Sequence, residues 1–158
     1  MRVQGFLLDL YQVFENFVTV TVSQALERID GRRQAEDPHT LDEEGEINIR
    51  PDLVWRVSGQ PAAVIDAKYK AEKPSGFPEA DLYQALAYAT AYGLDAARLV
   101  YAAGNETARN WTARHSGTRR VAHTLDLQEP PAAILERVGA LARSIAGRCP
   151  SVHRGTLL

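Results

Sequence analysis

The stretch "IRPDLVWRVSGQPAAVIDAKYK", residues 49–70, decides the fold. Apolar residues alternate on either side of "SGQP", the pattern of two strands joined by a tight turn, and Gly59 is placed to take the positive φ such turns need. Asp52, Asp66 and Lys68 interrupt those apolar runs. A three-residue loop of Ser58, Gly59 and Gln60 brings Asp52 opposite Asp66. Carboxylates so opposed have Cβ atoms about 5 Å apart and repel, unless one holds a proton or a cation sits between them. Period-two alternation puts Lys68 on the face of Asp66, while Leu53, Trp55, Val57, Ala63 and Ile65 point the other way into a core. A few hard oxygen ligands suit Mg²⁺, with Mn²⁺ able to substitute. An adjacent ammonium can orient a metal-bound water or stabilise developing negative charge, which is equipment for phosphodiester hydrolysis.

Upstream, "GFLLDLYQVFENFVTVTVSQALERI" sets Phe6, Leu7, Leu10, Phe14, Phe17 and Val18 at helical spacing, predicting a helix over roughly 6–29 that Gly31 stops. Glu15 shares a helical row with Tyr11, Val18 and Val22, so it is an acid on a partly apolar flank, as a group directed at a site would be. The polar run "GRRQAEDPHTLDEEGE" reads as a solvated loop or frayed hairpin, with His39 on its surface. Downstream, Pro78, first-turn acids and Gly93 bound a second helix over roughly 78–92, on which Gln84 and Tyr88 share a face. "ARLVYAA", "NWTARHS" and "RRVAHTLDL" read as strands. "PPAAILERVGALARSIAGR" reads as an amphipathic helix burying Ile134, Leu135, Val138, Leu141 and Ile145. The order is helix, hairpin, helix, strands, helix: an α/β chain with one domain spanning 1–158.

With 45% hydrophobic and 24% charged residues, the composition is that of a globular protein. Arg2, Asp9 and Glu15 break the N-terminal apolar stretch, so neither a secretory signal nor a membrane span is expected and the location reads as cytoplasmic. The lone Cys149 excludes an internal disulfide framework and a cysteine-rich metal site. A net charge of −2 leaves nucleic-acid binding to local patches or a bound metal. Lys70, Lys73, Arg114, Arg119 and Arg120 are candidates for neutralising phosphate, though scattered basic residues are ordinarily solvated surface.

"RPD" followed by "VIDAKYK" resembles the PD-(D/E)xK nuclease signature, and with "FLLDLYQVFENFV" and "DLYQALAYATAYG" it resembles the nuclease domain of McrC-type subunits of modification-dependent restriction systems. The resemblance covers about residues 6–103. It implies a restriction-endonuclease-like core, a mixed central β-sheet flanked by helices. It also implies that Asp52 and Asp66 are metal ligands, Lys68 the catalytic lysine, and the Ala67 carbonyl and Glu15 further ligands. Gln84 and Tyr88 resemble the Gln-xxx-Tyr helix of related nucleases and would touch the scissile strand. The implied partners are DNA and an AAA+ GTPase of the McrB type, the latter docking on an N-terminal portion of the family that this sequence lacks.

The function expected is therefore an Mg²⁺-dependent DNA endonuclease domain that cuts for a GTP-dependent restriction complex. Two alternatives stand beside it: a stand-alone repair or recombination nuclease of the same superfold, and a non-catalytic module that stimulates a partner GTPase. The intact set of Asp52, Asp66 and Lys68 favours a nuclease, and a fold alone cannot decide.

Overall fold

The computed structural model of the chain describes residues 2–35, 38–69, 77–102 and 108–147, with the side chains of 2–9 and 32–35 left aside. Along the chain run α1 (Arg2–Glu27), β1 (Arg32–Ala35), β2 (His39–Thr40), β3 (Asn48–Ile49), β4 (Leu53–Val57) and β5 (Gln60–Lys68). There follow α2 (Glu79–Ala91), β6 (Ala96–Ala102), β7 (Arg109–Thr112), β8 (Arg119–Leu125) and α3 (Pro131–Ala146). Six strands form one mixed sheet in the order β1-β4-β5-β6-β8-β7, and β2 pairs with β3 in a separate ribbon. β1, β4 and β5 are antiparallel neighbours, β5, β6 and β8 run parallel, and β7 closes the far edge antiparallel to β8.

Period-two burial of β4 and β5 explains the layers. Leu53, Trp55, Ala63, Ile65 and Ala67 face a core built with Phe14, Val18, Val22 and Leu26 of α1 and Val138, Leu141, Ala142 and Ile145 of α3. Val54 and Val64 face the other core, under Ala85, Tyr88 and Ala89 of α2. Leu53, Val64 and Ile65 are each 1% exposed, and such side chains stabilise by about 1.5–3 kcal/mol apiece on leaving water. The hairpin that carries the acids is thus fixed on both faces. These layers are the expected α/β arrangement, a mixed sheet flanked by helices, consistent with a restriction-endonuclease-like core.

Two local readings change, and one residue makes a contact that was not expected. Arg32–Ala35 is an edge strand paired with β4, where a solvated loop or frayed hairpin was expected, and the short β2–β3 ribbon that follows is such a hairpin; charged residues suit a sheet edge, because they discourage pairing with a second chain. Leu135 is 52% exposed, since it lies off the stripe that Val138, Leu141 and Ile145 complete. His39 is exposed as expected, yet its ring stacks on Tyr92 at 4.8 Å. Phe6, Leu7, Lys70, Lys73 and Cys149 lie outside the residues whose side chains are described.

Candidate active site

Ser58 at φ 52° and Gly59 at φ 78° make the turn between β4 and β5, both left-handed as a type I′ turn requires. The loop is one residue shorter than the three expected. A register shift between Trp55 and Arg56 absorbs the difference on β5, between Pro61 and Ala63. Beyond the shift Leu53 pairs with Ile65, so Asp52, immediately ahead of β4, still comes up against Asp66.

The Asp52 backbone N–H donates to Asp66 Oδ1 at 3.4 Å, and Asp52 Oδ2 accepts the Ala67 N–H at 2.7 Å. A strand residue sends its N–H and C=O toward the same neighbour, so the Ala67 carbonyl also faces the gap that β4 leaves open beside Asp52. Burial pushes the Asp66 carboxyl up to about 7, with the charge of Asp52 second and Lys68 opposing. Burial likewise pushes Asp52 up to about 6, against the Ala67 N–H that favours its charged form. Burial thus comes first for both carboxyls, and of the two Asp66 alone is pushed further by the charge of the other.

Lys68 Nζ stands 2.6 Å from Asp66 Oδ2 and donates to Gln84 Oε1 at 2.7 Å. The contact with Asp66 falls outside hydrogen-bonding alignment, and Asp66 Oδ2 is buried without an aligned donor. Burial works against the ammonium, but the Asp66 charge outweighs it and the Lys68 pKa ends above its ordinary value. Gln84 thus reaches the cluster from α2, whereas Tyr88, one turn on, spends its hydroxyl on the Arg50 carbonyl at 3.3 Å.

From α1, half-buried Glu15 lies against Asp52, adding charge and a side-chain hydrogen bond that both push the Asp52 pKa upward. Tyr11, one turn earlier, has its pKa raised first by burial and stands in the field of Lys68, Asp66, Glu15 and Asp52. Sequence reasoning placed Tyr11 only on the helix flank. It also missed Asp81, which is 6% exposed and accepts the Tyr101 hydroxyl at 2.9 Å. The signal for Asp81 was hidden, because an acid in a first helical turn is the ordinary complement of the helix dipole. Among the phosphate candidates, Arg119 is engaged by Asp95 at 3.2 Å and Arg114 is exposed in the turn after β7.

Among the described residues no group of three His, Cys, Asp or Glu is placed to hold a metal together. The donor set is instead a carboxylate pair, Asp52 and Asp66, with one carbonyl, and it fits Mg²⁺. That ion takes one or two carboxylates and keeps several waters, and a cation offsets the cost of burying two carboxylates, which is what first lifts both pKa values.

Fold and site together define a restriction-endonuclease-like α/β domain with two acids and a lysine at the open end of a central hairpin. The family model for the McrBC 5-methylcytosine restriction system component matches residues 2–102, and the chain belongs to that family, in keeping with the McrC-type resemblance of its motifs. Among solved structures it is similar to a chain of a half-complex from a tetradecameric assembly of Thermococcus gammatolerans McrB AAA+ hexamers with bound McrC. That likeness has a TM-score of 0.65 at 16% identity and covers 87% of this chain but 33% of the other. No curated protein matches the sequence.

Proposed function

We propose that this chain is the nuclease domain of the cleavage subunit in a GTP-dependent, modification-specific restriction complex, hydrolysing DNA phosphodiester bonds with Mg²⁺. The observation that carries the reading is Asp52 set against Asp66, with the Lys68 ammonium 2.6 Å from Asp66 Oδ2. Asp52, Asp66 and the Ala67 carbonyl would hold the ion, with Glu15 beside Asp52. When bound, Mg²⁺ supplies Lewis acidity at the phosphate and a more acidic water. Lys68 keeps its proton, and its charge stabilises the negative charge that builds on the phosphate oxygens as water adds and the ester P–O bond breaks. Gln84 holds Lys68 in that position from α2. The solved T. gammatolerans assembly pairs McrC with McrB AAA+ hexamers, and by analogy an AAA+ GTPase of that type is the proposed partner of this chain.

The test is nicking of plasmid DNA in Mg²⁺ at low salt, where the chain's own cutting is strongest, with metal affinity measured in parallel. Asp66→Ala is expected to lose cutting and to weaken metal binding. Lys68→Ala is expected to keep metal binding and to lose about 2.7–4 kcal/mol of transition-state stabilisation, about a hundredfold or more in rate. Parent-like cutting by Asp66→Ala would overturn the assignment.

A further inference from the structure

The β7–β8 hairpin lies outside the site described above, and its charge is unlike that of the rest of the chain. From Ala108 to Leu125 there are four arginines, two histidines and no carboxylate, in a protein of net charge −2. The Arg109 guanidinium lies 5.2 Å from the centroid of the Trp111 ring. Phe77, just ahead of α2, meets that ring edge-on at 5.4 Å and packs on Tyr101 at 4.7 Å. Arg120 is the cross-strand neighbour of Trp111, and its Nε is buried with no hydrogen-bond partner among the described residues.

These groups share the face of the sheet that carries the candidate site. Asp66 pairs with Leu99, Leu99 with Ala122 and Ala122 with Arg109, so the four residues form one row across β5, β6, β8 and β7. Leu99, Ala122 and Trp111 all belong to the core beneath α2, and Arg109 stands two residues from Trp111, hence on that same side. Three strand spacings of 4.7–4.9 Å separate the Asp66 and Arg109 backbones by about 14 Å. Phe77 fills the step between, where α2 begins.

We infer that Arg109, Trp111 and Arg120 form a DNA-backbone site that holds the strand leaving the candidate active site across the start of α2. The inference rests on the nuclease reading and extends it. Arg109 and Arg120 neutralise phosphates. The indole fixes the Arg109 guanidinium from one side and offers a flat apolar surface to sugar or base. An acidic protein surface would satisfy the arginines equally well. The aromatic surface and the row shared with Asp66 favour nucleic acid.

The experiment is fluorescence titration of this chain with a short DNA duplex in EDTA at low salt, where no metal-dependent cutting intervenes. The chain has two tryptophans, and Trp55 is 2% exposed with its Nε1 bonded to the Asp30 carbonyl, so quenching reports on Trp111. Parent protein is expected to bind with quenching, and Trp111→Phe to bind without it. Arg109→Ala and Arg120→Ala are each expected to weaken binding about tenfold and to reduce the slope of log affinity against log salt by about 0.9, with melting temperatures showing that the variants fold. Absence of DNA binding by the parent, or parent-like binding by both arginine variants, overturns the inference. So does unchanged DNA binding together with lost association with the AAA+ partner, which would make the edge a protein-docking surface. Failure of the nuclease reading shows separately, as plasmid nicking that survives Asp66→Ala.

Discussion

Asp66 is held between two opposing influences: the Lys68 ammonium favours its charged form, while burial and the Asp52 charge favour its protonated form. The second influence wins, lifting Asp66 from 3.8 to about 7, and burial in the same way lifts Asp52 from 3.8 to about 6. In the unfolded chain both protons leave near 3.8, so from about pH 4 to about pH 7 the folded state holds more protons than the unfolded one. Stability from this pair is therefore complete below about pH 4 and is lost as pH rises through the folded pKa values. Asp66→Asn removes most of that dependence. Without metal the variant is expected to match or trail the parent near pH 5 and to gain on it by roughly 1–3 kcal/mol by about pH 8, a figure reduced because Lys68 loses its counter-charge. Melting curves at the two pH values check this, and a gap that does not widen with pH would place the strain elsewhere. At the same scale lies the difference between Lys68 and the exposed arginines: it is fixed by both Asp66 and Gln84, so its position is set before substrate arrives.

α2 is the element that turns a metal-binding hairpin into a composed site, because its first turns bring Gln84 to Lys68 and Asp81 to Tyr101. The Tyr101 to Asp81 bond is buried, and deleting the hydroxyl by Tyr101→Phe is expected to cost about 1–3 kcal/mol. Amide exchange should then rise in the first turn of α2 and stay unchanged in α3. Equal protection in both helices would mean that Asp81 does not anchor the helix start. The hairpin that positions Asp52, Asp66 and Lys68 was legible in the sequence because alternation has a period of two and a core on each face punishes any slip of register. The net pairing came out right although the loop is shorter, since the register shift after Trp55 compensates. β1 was not legible, because Arg32–Ala35 has no apolar alternation and forms only by completing an edge of β4. Gln84 could be read from its spacing to Tyr88, whereas the roles of Asp81, Tyr11 and Arg109 depend on contacts with residues distant in sequence, which no local pattern encodes.

At the scale of the whole molecule, charge is unevenly spread along the chain: six carboxylates fall between Glu36 and Glu46, and the arginines of β7 and β8 lie at the sheet edge farthest from β1. Non-specific affinity for DNA grows with the number of phosphates neutralised and falls steeply with salt. Two or three arginines on one edge of a chain with net charge −2 therefore guide a strand across the site without retaining it. Among the described residues no helix is long and apolar enough to cross a membrane. Retention must come from elsewhere, and the proposed source is an AAA+ partner that threads or encircles the duplex and so raises its effective concentration at Asp52 and Asp66 without altering their chemistry. Residues 1–158 alone are accordingly expected to cut weakly or undetectably near 0.15 M salt and better as salt falls. Cutting at about 0.15 M salt should return when an AAA+ partner of the McrB type and GTP are added. Cleavage of modified and unmodified DNA, with and without that partner, makes the comparison. Fast, sequence-selective cutting by this chain alone would transfer both retention and selectivity to the described domain, and with them the reading would shift to a stand-alone nuclease of the same superfold.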